Sequence, residues 1–353
     1  MMKLVSLNLF SLRAPHVAGW LATALLVFAP AAHAAEQLKV VTSVSNLIFA
    51  PVYVAQQLGY FKQEGLDVSI ADGNGGSNAV ASVVGASADI GIVGIKNASQ
   101  AVVKGQPLKA FATGVQGFPQ AIVARTDLPG LNALSGQATL ANKGALLRAK
   151  TIAVTDIGGS TGEFARFVLK NAQVADNDIK LVNIPTVAAQ LAALKAGRID
   201  AFVNSSPAIE QATIEGYGVK LVDPALDLKE QTDFEYTVQI ARTDVLNQRS
   251  EAIGRYLRAV QRALDLIHSN KDQARDAVFA YFADSAEITQ AFPAAIRNQA
   301  WDNTVPYLPR SVQLDDAKLA KSRVFFQISE KAPDEIFIDH RTAQAVPAAP
   351  TTR

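Results

Sequence analysis

Short apolar runs alternate along this chain with segments whose apolar residues recur every three or four positions. Residues 38–42 (LKVVT) predict a strand, and residues 49–58 carry helical spacing with Pro51 in the first turn. Proline is tolerated there because its missing N–H would be unpaired anyway. Gly59 supplies the stop. Further strands are predicted at residues 67–70, 89–93, 108–113, 151–155 and 179–184, with helices at 79–84 and 163–170 between them. Strands that alternate with helices in this way argue for βα units built on parallel sheets. Beyond Arg242 the pattern turns helical. Residues 250–268 align Ile253, Leu257, Val260, Leu264 and Ile267 on one face, a stripe of core width. Residues 274–282, 286–295 and 314–331 continue it.

Two internal correspondences add a second level of order. Residues 85–93 and 197–203 both run from a helix-ending glycine through an aspartate (Asp89, Asp200) into an apolar strand. Residues 121–127 and 238–244 are both strands closed by the same Ala-Arg-Thr-Asp. The pairing predicts two lobes of similar α/β build with the chain crossing between them twice, and the Arg-Thr-Asp strands are natural places for the crossings. Lobe one is expected at residues 35–123 plus 236–342, and lobe two at 124–235.

In open α/β sheets ligands bind beyond the carboxyl ends of the strands. Two such sheets facing each other would gather the polar turns of this chain around one cleft. The side chains and backbone these turns offer are Ser45 and Asn46, Gly76 with Ser77 and Asn78, Lys96 and Asn97, Gly159 with Ser160 and Thr161, and Asn204 with Ser205. Ser77 or Asn78 is the expected N-cap of its helix. Ser160-x-x-Glu163 also reads as a capping box, which would satisfy the helix donors internally. Phe49 and Phe118 could wall the cleft or pack in the core. Lys96 is the only basic residue on these turns, and it could equally stay solvated. One lysine among neutral polar groups favours a small, singly charged organic anion, a sulfonate or carboxylate. A neutral heterocycle stacked on Phe49 or Phe118 is the alternative.

Composition narrows the function classes. Lys3 and Arg13 precede an apolar run that ends in Ala32-His33-Ala34, the pattern of a cleaved secretory signal peptide over residues 1–34. Later apolar runs fall short of the roughly 18 residues that a membrane span needs. The chain carries 33 Lys and Arg against 32 Asp and Glu. Cleavage removes two bases and no acid, so the net charge turns from +1 to about −1, with no footprint for nucleic acid. There is no cysteine, which excludes disulfides, thiolate nucleophiles and a lipid-anchored cysteine. Without such an anchor, a periplasm is the expected compartment. His268 and His340 are the histidines beyond residue 34, too few for a multi-histidine metal site, so no metal and no cofactor is expected. Residues 158–162 do not follow G-x-G-x-x-G, which argues against a dinucleotide. No base–nucleophile pair suggests an enzyme, and no fused signalling segment suggests a sensor. Residues 343–353, rich in proline and alanine, are expected to be disordered.

These segments resemble the periplasmic substrate-binding proteins of ABC importers, in the nitrate, sulfonate, taurine and thiamine-precursor group. The likeness rests on residues 50–55 (APVYVA) running into 58–68 (LGYFKQEGLDV), on Ala88-Asp89-Ile90-Gly91, on the Gly-Ser-Thr helix start at Ser160, and on residues 192–201 (AALKAGRIDA). It spans residues 38–331. The resemblance implies a type II, two-lobed α/β binding protein with two interlobe crossing strands that closes on its ligand. It also implies that the polar turns hold the ligand, and that the partners are an inner-membrane permease and its ATPase. The implied protein is monomeric. The histidine and cysteine clusters of the pyrimidine-synthesising relatives are missing, which speaks against an enzyme of that kind.

Overall fold

Leu38, Val40 and Val41 bury their side chains from the first strand, β1 (Glu36–Thr42), as the apolar run predicts. The computed structural model describes residues 35–228, 233–283, 293–340 and Val346. The expected signal peptide, residues 286–292 of the expected helix, and the expected tail apart from Val346 lie outside the described residues. Val346 is buried, and its carbonyl accepts from Gln313 Nε2 at 3.5 Å.

β1 is followed by α1 (Ala50–Gln57), α2 (Tyr60–Gln63), β2 (Leu66–Asp72), α3 (Gly76–Val84), β3 (Ile90–Gly94), α4 (Ile95–Val103) and β4 (Leu108–Gln116). The chain then builds β5 (Ala121–Arg125), α5 (Leu140–Ala145), β6 (Thr151–Val154), α6 (Ser160–Asn171), β7 (Lys180–Asn183), α7 (Val187–Lys195), β8 (Ala201–Asn204), α8 (Ala208–Ile214), β9 (Gly218–Val222) and α9 (Pro224–Asp227). It ends with β10 (Glu235–Arg242), α10 (Thr243–Gln248), α11 (Ser250–Ser269), α12 (Lys271–Tyr281), α13 (Ala294–Thr304), α14 (Asp316–Phe325) and α15 (Asp334–Phe337).

The strands form two five-stranded sheets, in the orders β2-β1-β3-β10-β4 and β7-β6-β8-β5-β9. Both have the same plan. β10 runs antiparallel to β3 and β4 in one sheet, and β5 runs antiparallel to β8 and β9 in the other. The remaining neighbours are parallel. Each inserted strand is the first one the chain makes after crossing from the other sheet, between Gln116 and Ala121 and again between Val222 and Glu235.

The two Ala-Arg-Thr-Asp repeats therefore lie not at the crossings themselves but at the opposite ends of the strands into which the crossings lead. Their arginines do the same work in each lobe. Arg242 donates to the Val83 carbonyl at the end of α3, at 2.8 Å, and Arg125 donates to the Gly197 carbonyl just past α7, at 3.4 Å. A cation at a helix C-terminus satisfies carbonyls that have no intrahelical partner.

The stripe of α11 is core as predicted, with Ile253, Leu257, Val260, Leu264 and Ile267 all buried. Phe118, in the first crossing, is buried as well. Its ring lies 4.4 Å from Phe164, 5.2 Å from Tyr236 and 5.8 Å from Phe325, measured between centroids. It pins the crossing to elements of both lobes and is not a cleft wall.

Candidate functional site

The carboxyl ends of the parallel strands in both sheets open onto one cleft, where Gly94, Thr155, Asn204 and the turns beyond them line a pocket of about 430 Å³, mouth included. Of the residues singled out in the sequence, Asn46, Gly76, Asn97, Ser160, Thr161, Asn204 and Ser205 line it. Ser45, Phe49, Ser77, Asn78, Lys96 and Gly159 do not.

Each absence has a structural cause. The Ser45 N–H is bound to Asp72 Oδ2 at 2.6 Å. Phe49 is buried inside the first lobe, against a separate cavity with Val52, Val260 and Leu264. Asn78 is exposed and donates back to the Asn74 carbonyl at 3.0 Å. Lys96 turns away from the cleft, and its ammonium binds the Phe326 carbonyl at the end of α14 at 2.6 Å. The cation expected for an anionic ligand thus caps a helix C-terminus. Gly159 and Ser77 stand just behind the lining, in the network around Asp156.

Asp156 is not among the residues singled out in the sequence, yet it is the centre of that network. Its Oδ2 accepts from the Ser77 N–H at 2.8 Å, Ser77 Oγ at 2.7 Å and Asn97 Nδ2 at 2.8 Å, while Oδ1 accepts from the Gly158 N–H at 3.0 Å. Ser77 lies in the first turn of α3, whose N-cap is Gly75 and carries no side-chain cap. The donor that Ser77 or Asn78 was expected to satisfy locally is satisfied instead by a carboxylate 79 residues away, from the other lobe. Glycine is required at this junction. A Cβ on Gly76 or Gly159 would come within 2.7 or 2.8 Å of Asn97 Oδ1, closer than real Cβ contacts come, and Asn97 is held by its bonds to Ser77 Oγ and Asp156.

The capping box at the start of α6 does not form. Gly159 is the N-cap, with no side-chain hydrogen bond, and Ser160 is the first helical residue. Glu163 pairs with Arg166 at 3.3 Å. Thr161 Oγ1 closes the turn locally, lying 3.1 Å from Thr155 Oγ1 and accepting from the Asp156 N–H at 3.2 Å. Ser160 is thereby left facing the pocket. On the other side of the cleft, Asn46 caps a short 3₁₀ turn by accepting from the Ile48 N–H at 3.2 Å. It also spans the lobes. Asn46 Nδ2 donates to Asn204 Oδ1 at 3.2 Å, Ser205 Oγ donates to Asn46 Oδ1 at 2.9 Å, and Asn204 Nδ2 continues to Gln190 Oε1 at 3.0 Å. These amides bind one another.

The polar groups left unpaired are different ones. Gln120 Oε1, Ser160 Oγ and Thr237 Oγ1 are buried and line this pocket without a hydrogen bond of normal geometry, Ser160 Oγ having only the Tyr236 phenol beside it. Tyr236 lines it too. Burial holds its phenol well above the ordinary range, offset only in part by the neighbouring Ser160 hydroxyl. Ser43, Val44, Ile48, Gly94 and Thr155 complete the wall. Gln120 and Thr237 carried no local signal in the sequence, because Gln120 ends the first crossing, Thr237 lies near the start of the strand into which the second crossing leads, and the two come together only when the two sheets face each other. Among the described lining residues there is no lysine, arginine or histidine, and Asp156 is the one charged group. Among the described residues no group of three or more His, Asp or Glu side chains gathers in a way that could hold a metal ion.

Residues 46–274, more than half of the chain, match the family described as NMT1/THI5 like. The chain belongs to the NMT1/THI5-like family. It is 26% identical to the protein YtlA of Bacillus subtilis (strain 168) over 283 residues, 74% of this chain and 76% of that one. Among solved structures it superposes on a protein of Bordetella bronchiseptica RB50 with a TM-score of 0.74, at 21% identity, covering 87% of this chain and 96% of the other. The alkanesulfonate-binding protein SsuA of Xanthomonas axonopodis pv. citri, solved with MOPS bound, gives a TM-score of 0.66 at 15% identity, covering 86% and 98%. The fold of this family member is thus that of the periplasmic binding proteins, as the resemblance read from the sequence implied. No described helix is long and apolar enough to cross a membrane.

Proposed function

We propose that this protein is a periplasmic solute-binding protein that encloses a small, uncharged polar molecule, of heterocyclic type, between its lobes and delivers it to the permease and ATPase of an ABC importer. The observation that carries this reading is the convergence of three unpartnered buried polar atoms, on Gln120, Ser160 and Thr237, in one pocket. A buried polar atom without a partner costs about 1–3 kcal/mol, so a ligand that pairs with all three recovers several kcal/mol at once. Hydroxyls can donate or accept and an amide can do both. Such a set suits a solute with alternating donors and acceptors, and Val44, Ile48 and the Tyr236 ring offer apolar contact beside it.

The sulfonate or carboxylate reading loses its support at Lys96, whose ammonium is committed to Phe326. The stacking surface in the neutral reading moves from Phe49 and Phe118, both committed to the core, to Tyr236. The likeness to the binding proteins YtlA and SsuA supports binding without turnover.

The test is a thermal-shift panel on the mature protein, with neutral pyrimidines and related heterocycles set against alkanesulfonates and carboxylates at equal concentration. A ligand at a hundred times its dissociation constant adds about 2.7 kcal/mol, a rise of several degrees. The expected result is stabilisation by a neutral heterocycle with no consumption of it. Stabilisation by sulfonates or carboxylates alone would refute the reading.

A further inference from the structure

Three donors meet one carboxylate oxygen at the mouth of α3. Two come from Ser77, its N–H and its hydroxyl, and the third is the Asn97 amide, all within 2.8 Å of Asp156 Oδ2. The helix is nine residues long, and its first-turn N–H groups carry the positive end of the helix dipole. A helix start, a hydroxyl and an amide aimed at one point are the donors a protein uses to hold a carboxylate or sulfonate when it has no cation to offer. Here they hold the chain's own carboxylate, brought across the cleft from the second lobe. The buried, unpartnered Ser160 hydroxyl faces the same pocket next to this cluster, and Asn97 packs against the backbone of Gly76 and Gly159 on either side. The anion position and the ligand pocket are therefore contiguous.

We infer that Asp156 sets the charge selectivity of the cleft: it fills the anion position from within and restricts the solute to uncharged molecules. An incoming sulfonate or carboxylate would have to displace Asp156 from all three donors and then lie beside the displaced carboxylate, so it gains no net hydrogen bond and meets a like charge. A neutral solute leaves the cluster intact and pairs with Gln120, Ser160 and Thr237. This assignment rests on the solute-binding reading and extends it to the residue that excludes anions.

Methanesulfonate, acetate and nitrate serve as probes, titrated by calorimetry and thermal shift at constant ionic strength into the wild type, Asp156→Asn and Asp156→Ala. The alanine variant is expected to bind at least one of these anions tenfold or more tightly than the wild type. The isosteric, uncharged Asp156→Asn should gain less, because it still occupies the donors. Adding Ser77→Ala to Asp156→Ala should abolish the gain. Wild-type binding of the anions as tight as that of Asp156→Ala overturns the assignment, as does a folded Asp156→Ala that gains no affinity for any of them. If the alanine variant does not fold, the asparagine variant decides by the same comparison. Anion gain in the variant without any neutral ligand for the wild type sinks only the proposed solute class, and the converse sinks only the role of Asp156.

Discussion

Glu235 is the first residue of β10 and stands where the chain returns to the first sheet, opposite Gln116, the last residue before the chain leaves it. Its carboxylate accepts from Thr113 Oγ1 at 2.5 Å, Gln116 Nε2 at 2.9 Å and the Asp315 N–H at 3.1 Å. Burial nevertheless dominates and pushes its pKa up to about 7, against the lowering effect of these bonds and of Lys318. Asp233 and Asp315 are the nearby acids. Asp233 is itself held below its ordinary value by bonds to Lys321 and Lys318. Because the folded protein holds the Glu235 proton more tightly than the unfolded chain does, stability conferred by that proton is complete below pH 4.5 and is lost as pH rises towards 7. The loss is on the order of 3 kcal/mol, from about 1.4 kcal/mol per unit. Glu235→Gln should remove this component, so that urea midpoints of the variant decline less than those of the wild type between pH 4.5 and pH 8. Parallel declines would show that Glu235 does not titrate in this window. At this scale the sequence misled most at Lys96 and was silent at Asp156. Both side chains find partners more than fifty residues away, and no local pattern encodes such a distance.

The elements themselves were largely readable. α1 and α11 form within a residue or two of their predicted bounds, as do β1 and β3, because apolar periodicity follows from one-sided burial and Gly59 supplies the left-handed stop, with φ +69°. The helix starts facing the cleft were not readable. α3 and α6 begin earlier than predicted, without their expected side-chain caps, since the Ser77 donor of α3 is satisfied by Asp156 of the other lobe and the α6 start closes on the Asp156 carbonyl and the Thr161 hydroxyl of its own turn. The glycines at these starts are fixed by that close approach. Gly76→Ala would drive a methyl group into the Asn97 amide and should cost about 1–3 kcal/mol in chemical denaturation, the range for overpacking a tight contact. Gly136→Ala meets open space and should be neutral or slightly stabilising, since alanine narrows the unfolded ensemble. Equal effects at the two positions would contradict the junction described for Asn97.

At the scale of the molecule, two sets of hydrogen bonds tie the lobes across the cleft. One runs from Asn46 to Asn204 and Ser205, and the other from Ser77 and Asn97 to Asp156. Phe118 packs at the crossing between elements of both lobes. Each cross-cleft bond contributes about 0.5–1.5 kcal/mol, more for those to the carboxylate. Asn46→Ala combined with Asp156→Ala should therefore shift the ligand-free protein towards an open arrangement of the lobes. Small-angle scattering would read this as a larger radius of gyration, and hydrogen exchange as weaker protection near Asn204. An unchanged scattering profile would mean that the Phe118 packing alone sets the lobe geometry. The paired repeats at residues 85–93 with 197–203 and 121–127 with 238–244 did announce two sheets of one plan. The repeats mark equivalent strands because equivalent packing demands the same glycine, aspartate and arginine at the same places.

The sequence by itself determined the elements, the two-lobe α/β plan and the family resemblance. Each of these depends on periodicity and on short-range motifs that a linear reading contains. It also placed Asn46, Asn97, Ser160, Asn204 and Ser205 at the cleft, because strand-end turns in such folds converge there. Only the tertiary structure decided what those groups do. Docking one lobe on the other pairs Asn46 with Asn204 and Ser205, and Asp156 with Ser77 and Asn97. It turns Lys96 away and leaves Gln120, Ser160 and Thr237 unpaired in the pocket. Which polar groups remain free for a ligand depends on which ones the opposite lobe has already satisfied, and that is a property of the assembled cleft.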